Sequence, residues 1–173
     1  KGLVGGAVLS ELKRQGFKKI ITVSKNKLNL LNQKKVFNFI KKIKPKAFII
    51  CAAKVGGVNA NKNYKTEFIY ENMTIQNNLI YSAFKNNVNR LVFLGSSCIY
   101  PASSKQPIKE EYLLTGSLEP TNDAYAIAKI SGIKFCQSLN EQYNKNYICL
   151  MPTNIFGNQD NYNLETSHFI PAL

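Results

Sequence analysis

Ala47-Phe48-Ile49-Ile50-Cys51 is an unbroken apolar run between Pro45 and a loop rich in glycine and asparagine. A short continuous run of β-branched and aromatic residues reads as a strand of a parallel sheet, buried on both faces. Arg90-Leu91-Val92-Phe93-Leu94-Gly95 repeats the pattern, and Tyr147 to Met151 supplies a third run. Lys18 to Val23 reads as a further short strand. The stretches between are helical in period: Leu3 to Gln15 (closed by Gly16), Asn32 to Lys42 (stopped by Pro45), Glu67 to Asn86 and Thr121 to Asn144. Ala52 to about Lys65 reads as loop, and so does the polar stretch from Pro101 to Pro120. Strands alternating with helices imply an α/β fold, a doubly wound, Rossmann-like parallel sheet with helices on both faces. The opening helix follows a glycine turn, so one more strand is expected before Lys1, and both ends read as cut. Ligands of such sheets bind at the carboxyl ends of the strands.

The chain has 173 residues, 45% of them hydrophobic, enough for one domain with a true core. Its net charge of +13 raises nucleic acid as a partner. The charge is nearly all scattered lysine, however; Arg14 and Arg90 are the only arginines, and no basic stripe is interleaved with aromatics. No nucleic-acid partner is expected. No apolar run approaches the length of a membrane helix, so no membrane partner is expected either. Cys51, Cys98, Cys136 and Cys149 form no CxxC pair, which fits reduced thiols in a cytoplasmic protein. With one histidine, His168, and no acidic cluster, no metal site is expected.

The strand ends carry the chemistry. Gly2, Gly5 and Gly6 open the first helix, where glycines let a pyrophosphate approach the backbone; a plain turn is the other reading. After Ile21-Thr22-Val23 come Ser24 and Lys25, where an NAD site usually places an acid. A cation there suits a 2′-phosphate and favours NADP, against the reading of a surface lysine. Tyr125 and Lys129 lie one helical turn apart on one face, so the ammonium can lower the phenol pKa and ready it for proton exchange with a carbonyl oxygen. Tyr81 and Lys85 match the same spacing, but only Tyr125 follows a strand ending in Gly95-Ser96-Ser97; Tyr81 reads as packing. Cys98 beside a buried strand and His168 before an apolar stretch each read as structural or as catalytic.

Ser96 after the strand, with Tyr125-x-x-x-Lys129, resembles the extended short-chain dehydrogenase/reductases that act on nucleotide sugars. Longer blocks narrow the likeness. They are Ala52-Ala53-Lys54-Val55-Gly56-Gly57, Phe93 to Pro101, Leu118 to Asn122, Tyr125 to Lys129, Met151 to Asn154, and Ser167 to Leu173. In this order they are similar to the branch of that family that inverts C3 and C5 and reduces C4 of a GDP-linked 4-keto-6-deoxy sugar. The resemblance implies that Ser96, Tyr125 and Lys129 form a reduction triad and that Cys98 and His168 are the acid/base pair of epimerisation. It implies an NADP(H) site made of Gly2, Leu3, Val4, Gly5, Lys25, Leu94, Gly95, Ser96, Ser97, Lys129, Pro152, Thr153, Asn154, Ile155 and His168. Lys25 stands where that branch often has arginine. A homodimer is implied, with residues 1–173 a partial NADP-binding domain and the substrate domain largely beyond Leu173. Two alternatives stay open: another nucleotide-sugar epimerase, dehydratase or reductase of this fold, and a non-catalytic NADP-binding regulator.

Overall fold

A computed structural model describes residues 2–157, 160 and 162. Its elements, in chain order, are α1 (Leu3–Arg14), α2 (Gln33–Ile43), β1 (Ala47–Ile50), α3 (Val58–Asn63), α4 (Lys65–Lys85), β2 (Arg90–Leu94), α5 (Asp123–Tyr143) and β3 (Asn146–Leu150). The strands form a parallel sheet in the order β1-β2-β3. Parallel neighbours need crossovers; α3 and α4 make the first and α5 the second. The architecture is the Rossmann-like α/β arrangement read from the sequence.

The register lines up Ile50, Phe93 and Cys149 on one face of the sheet and Ile49, Val92 and Ile148 on the other. α4 and α5 pack on each other and on the first face, and α2 packs against α4. In α2, Val36 and Ile40 are four residues apart and form one stripe, 0% and 1% exposed. They join Leu79, Ile80 and Ala83 of α4 and Ile133, Cys136 and Leu139 of α5 in one core. α2 begins where the Asn32 side chain accepts the Lys35 N–H at 2.9 Å and ends at left-handed Lys44, just before Pro45. Gly132 lies where α5 crosses the sheet and α4. A Cβ there would stand 2.7 Å from the Phe93 ring and 2.9 Å from the Gln76 side chain. Gly132→Ala is therefore expected to destabilise the protein by about 1–3 kcal/mol, read as a lower urea midpoint at unchanged m.

The structure corrects three expectations. Lys18 to Val23 is extended but is not a strand. A strand needs a neighbour to bond with, and the order β1-β2-β3 gives this segment none; Ile21 stays 60% exposed. The loop after β1 contains α3, started by Gly57 and steadied by Asn61, whose amide donates to the Gly56 and Gly57 carbonyls at 2.8 and 3.0 Å. The strands are not buried on both faces. α1 approaches the second face near Cys51, whose Cβ lies 3.7 Å from where a Cβ on Gly5 would be. Ile148 and Leu150 on that face remain half exposed.

Candidate active site

β2 ends at Leu94, and Gly95 to Cys98 turn off its carboxyl end. Gly95 N–H donates to the Leu150 carbonyl at 2.7 Å and Ser97 N–H to the Pro152 carbonyl at 3.1 Å. These bonds set the segment after β2 beside the segment after β3. The Ser96 hydroxyl accepts the Cys98 N–H at 3.4 Å and caps a single 3-10 turn, Ser97–Ile99. Ser96 and Cys98 thereby share one corner.

α5 brings Tyr125 and Lys129 to that corner. Lys129 is 4% exposed, and its Nζ donates to the Leu94 carbonyl at 2.7 Å. The ammonium lies 4.9 Å from the centre of the Phe93 ring and 5.6 Å from that of Tyr125. Burial pulls its pKa down to about 8, against a smaller upward pull from Cys98. Burial, and secondarily Cys98, pushes the Tyr125 phenol up. The expected lowering of the phenol is thus overturned: both causes of its shift, burial and then Cys98, raise it. The Cys98 thiol is also raised by burial, with a hydrogen bond to Ser96 and the charge of Lys129 acting in the opposite direction. The cluster keeps its protons at neutral pH.

A buried ammonium held by one carbonyl and two rings costs more desolvation than a salt-bridged one. In the ligand-free protein Lys129→Met should therefore melt no lower than the parent at neutral pH. Between about pH 8 and the ordinary lysine value of 10.5 the unfolded chain holds a proton that the folded one has lost. Stability from this group then rises with pH. The melting difference should narrow in the parent's favour across that window.

Residues absent from the sequence reading hold this cluster in place. Phe68 of α4 meets Tyr125 edge to face, with ring centres 6.1 Å apart. Gln76 donates to the Ala128 carbonyl and to Ser131 Oγ, fixing α5 next to Lys129. Asn72, 2% exposed, accepts the Lys54 N–H at 2.8 Å and donates to the Lys54 carbonyl at 2.9 Å. It clamps the loop after β1, while Lys54 Nζ pairs with Glu71 at 2.7 Å. Lys65, at the start of α4, donates to the Pro120 carbonyl and to Asp123, tying down the start of α5. Phe68, Asn72 and Gln76 recur every four residues on the buried stripe of α4. Polar residues on such a stripe were the available signal.

The expected cofactor residues are partly gathered. Gly2 begins α1 with no side-chain cap, leaving first-turn N–H groups for an anion, and a Cβ on Gly2 would meet nothing within 4 Å. Leu3, Val4, Ala7 and Val8 face Ile155, Phe156 and Gly157 across an apolar groove of about 440 Å³. Leu94 to Ser97, Lys129 and Pro152 adjoin one another. Thr153 and Asn154 are exposed beside Pro152. Lys25 is exposed on a turn in which the Ser24 carbonyl accepts the Lys27 and Leu28 N–H groups. Gly95 has a packing reason for being glycine: a Cβ would lie 3.1 Å from Ile133 and 3.2 Å from the Leu150 carbonyl. His168 lies outside the described residues. Among those described, no three of His, Cys, Asp and Glu cluster as metal ligands, and no helix is long and apolar enough to cross a membrane.

The model of the NAD dependent epimerase/dehydratase family matches residues 1–173. The chain belongs to that family. Within it, the chain is 48% identical to GDP-L-fucose synthase of Escherichia coli K12, with all of this chain and 54% of the relative covered. It is 49% identical to GDP-L-fucose synthase 1 of Arabidopsis thaliana, again over all of this chain and 54% of the relative. Among solved structures, MlghC, a GDP-mannoheptose C4 reductase from Campylobacter jejuni with NADP bound, superposes with a TM-score of 0.93 at 40% identity. That match covers 99% of this chain and 51% of the other. The chain spans about half the length of the curated relatives it matches.

Proposed function

We propose that the protein carrying this chain is an NADPH-dependent 3,5-epimerase and 4-reductase that converts GDP-4-keto-6-deoxy-D-mannose to GDP-L-fucose. One observation carries the reading: Ser96, Cys98, Tyr125 and Lys129 meet at the carboxyl end of β2 in a chain similar along its whole length to GDP-L-fucose synthases. Residues 1–173 are assigned as the NADP-binding part, and the GDP-sugar as a ligand shared with residues beyond it. The enzyme is taken to be cytoplasmic and homodimeric. Exposed Tyr70 and Tyr81 on α4 and Ile127 on α5 offer apolar surface to a second copy.

The ketone at C4 acidifies the hydrogens at C5 and C3. Cys98 and His168 are assigned as the acid/base pair that removes each proton and returns one on the opposite face. NADPH, when bound, supplies the hydride that reduces C4. Tyr125, protonated at neutral pH, gives its phenol proton to the C4 oxygen, and the Ser96 hydroxyl hydrogen-bonds the same oxygen. Lys129 adds positive charge beside the developing alkoxide. Gly2 to Gly5 and the first turn of α1 would hold the pyrophosphate, and Lys25 would supply the cation for a 2′-phosphate. Leu94 to Ser97 and Pro152 to Ile155 would line the rest of the cofactor site.

The named C4 reductase among the relatives supports one second reading, a reductase that leaves C3 and C5 untouched. Carbon-bound deuterium uptake from heavy water separates the two. The NADP assignment has its own test. With Lys25 and no acid at the end of the second predicted strand, the enzyme should bind NADPH more tightly than NADH, and Lys25→Glu should reverse that order. Fluorescence titration with both cofactors checks it; tighter NADH binding by the parent would contradict the assignment.

A further inference from the structure

Cys136 and Cys149 take no part in the proposed chemistry, yet the fold sets them face to face. α5 runs antiparallel to β3 and packs on it, and Asn140 fixes the register between them. Its amide donates to the Tyr147 carbonyl at 2.8 Å and its Oδ1 accepts the Tyr147 N–H at 2.9 Å. From that rung, Cys136 lies four residues back along the helix, about 6 Å at about 1.5 Å per residue. Cys149 lies two residues on along the strand and on the same face as Tyr147, about 6.6 Å at about 3.3 Å per residue. The two rises match, so Cys136 and Cys149 fall at the same level on the facing elements. A third rung follows, where a Cβ on Gly95 would lie between Ile133 of α5 and the Leu150 carbonyl. Cys136 lies in the core and Cys149 packs against that core, and each thiol bears on the other's ionisation. Cys136 is fully buried and Cys149 half-buried, and neither is in a disulfide.

We propose that Cys136 and Cys149 are a redox-responsive dithiol, closed to a disulfide by a hydroperoxide. The two sulfurs are unequal. The neighbouring Cys149, and then burial, hold the Cys136 thiol up, whereas Cys136 draws the Cys149 thiol down against its own desolvation. Cys149 is thus the readier thiolate and the more accessible sulfur. Its thiolate attacks the peroxide oxygen, the O–O bond breaks, and with one proton taken up the products are Cys149 sulfenic acid and an alcohol, or water from hydrogen peroxide. Cys136 then attacks the sulfenic sulfur, the S–O bond breaks, and its thiol proton leaves with the hydroxide as water. The peroxide is reduced by two electrons and the thiol pair is oxidised by two. The new bond would staple the middle of α5, the helix that bears Tyr125 and Lys129, to β3. This inference does not depend on the proposed reaction.

The test is a peptide map of the purified full-length protein, treated reduced with hydrogen peroxide and then alkylated. The Cys136 and Cys149 peptides should appear joined, lighter than their sum by two hydrogens, and dithiothreitol should release them. In Cys136→Ala, Cys149 should accumulate as sulfenic acid and be captured by dimedone; in Cys149→Ser, Cys136 should stay an unmodified thiol. The inference is overturned if both parent cysteines are recovered alkylated while Cys51 or Cys98 carries the oxidation. It is equally overturned if Cys149 proceeds to sulfinic acid with Cys136 still free. The parent map decides the matter even if a variant fails to fold.

Discussion

Tyr125→Phe should lose about 10²–10⁴-fold in NADPH-dependent reduction of the keto sugar while remaining folded. The substitution removes one hydroxyl and leaves the ring. The edge-to-face contact with Phe68 needs only the ring, and Lys129 keeps its bond to the Leu94 carbonyl and its place over Phe93. Stability and NADPH binding should therefore change little. In the proposed reaction the phenol, held protonated by burial, is the acid, and without it the C4 oxygen must find its proton elsewhere. Cys98 remains, so the variant should still exchange the C3 and C5 hydrogens of the substrate with deuterated water. Stopped-flow NADPH oxidation and mass spectrometry of recovered substrate read the two halves separately. Equal loss of both would place Tyr125 in positioning rather than in proton transfer to C4.

Cys98→Ala should do the reverse. It should bind NADPH normally and lose about 10²–10⁴-fold in carbon–deuterium exchange. The Ser96 hydroxyl bonds the Cys98 backbone N–H rather than its side chain alone, so the corner that holds Ser96 survives the change. A cysteine present only for packing would behave otherwise: Cys98→Ala would lower the melting temperature modestly and leave exchange within a few-fold of the parent. That outcome would favour the C4-reductase reading.

The difference between what could and could not be read from the residues is a difference of range. Tyr125 and Lys129 were legible because their relation is local, one helical turn, and because the strand before them ends in Ser96. Tyr81 and Lys85 have the same spacing, but Tyr81, expected to be packing, is 40% exposed, with the Lys85 ammonium 6.0 Å from its ring centre. The context set around the pair, rather than its spacing, told the two apart. Asn72 and Gln76 were signalled only as polar residues on a buried stripe; what they hold was not legible, since each acts on the backbone of a distant element and their partners, Lys54 and Ala128, have no side-chain feature that signals it. The direction of the Tyr125 shift was misread because it is set by burial, which the helical spacing does not encode. Lys18 to Val23 failed as a strand for a related reason: composition describes a segment, and a strand is a relation between two. α3 was hidden by its own composition, Val58-Asn59-Ala60-Asn61-Lys62-Asn63, in which asparagine and the preceding glycines mimic loop.

The most direct test of the account is the product of a single incubation. The full-length protein is given GDP-4-keto-6-deoxymannose and unlabelled NADPH in deuterated water, and the nucleotide sugar is read by NMR. The account predicts GDP-L-fucose with deuterium at C3 and C5 and hydrogen at C4, because Cys98 and His168 exchange with solvent and C4 receives hydride from the cofactor. A reduced sugar carrying no carbon-bound deuterium, or deuterium at C3 and C5 without any oxidation of NADPH, would contradict it.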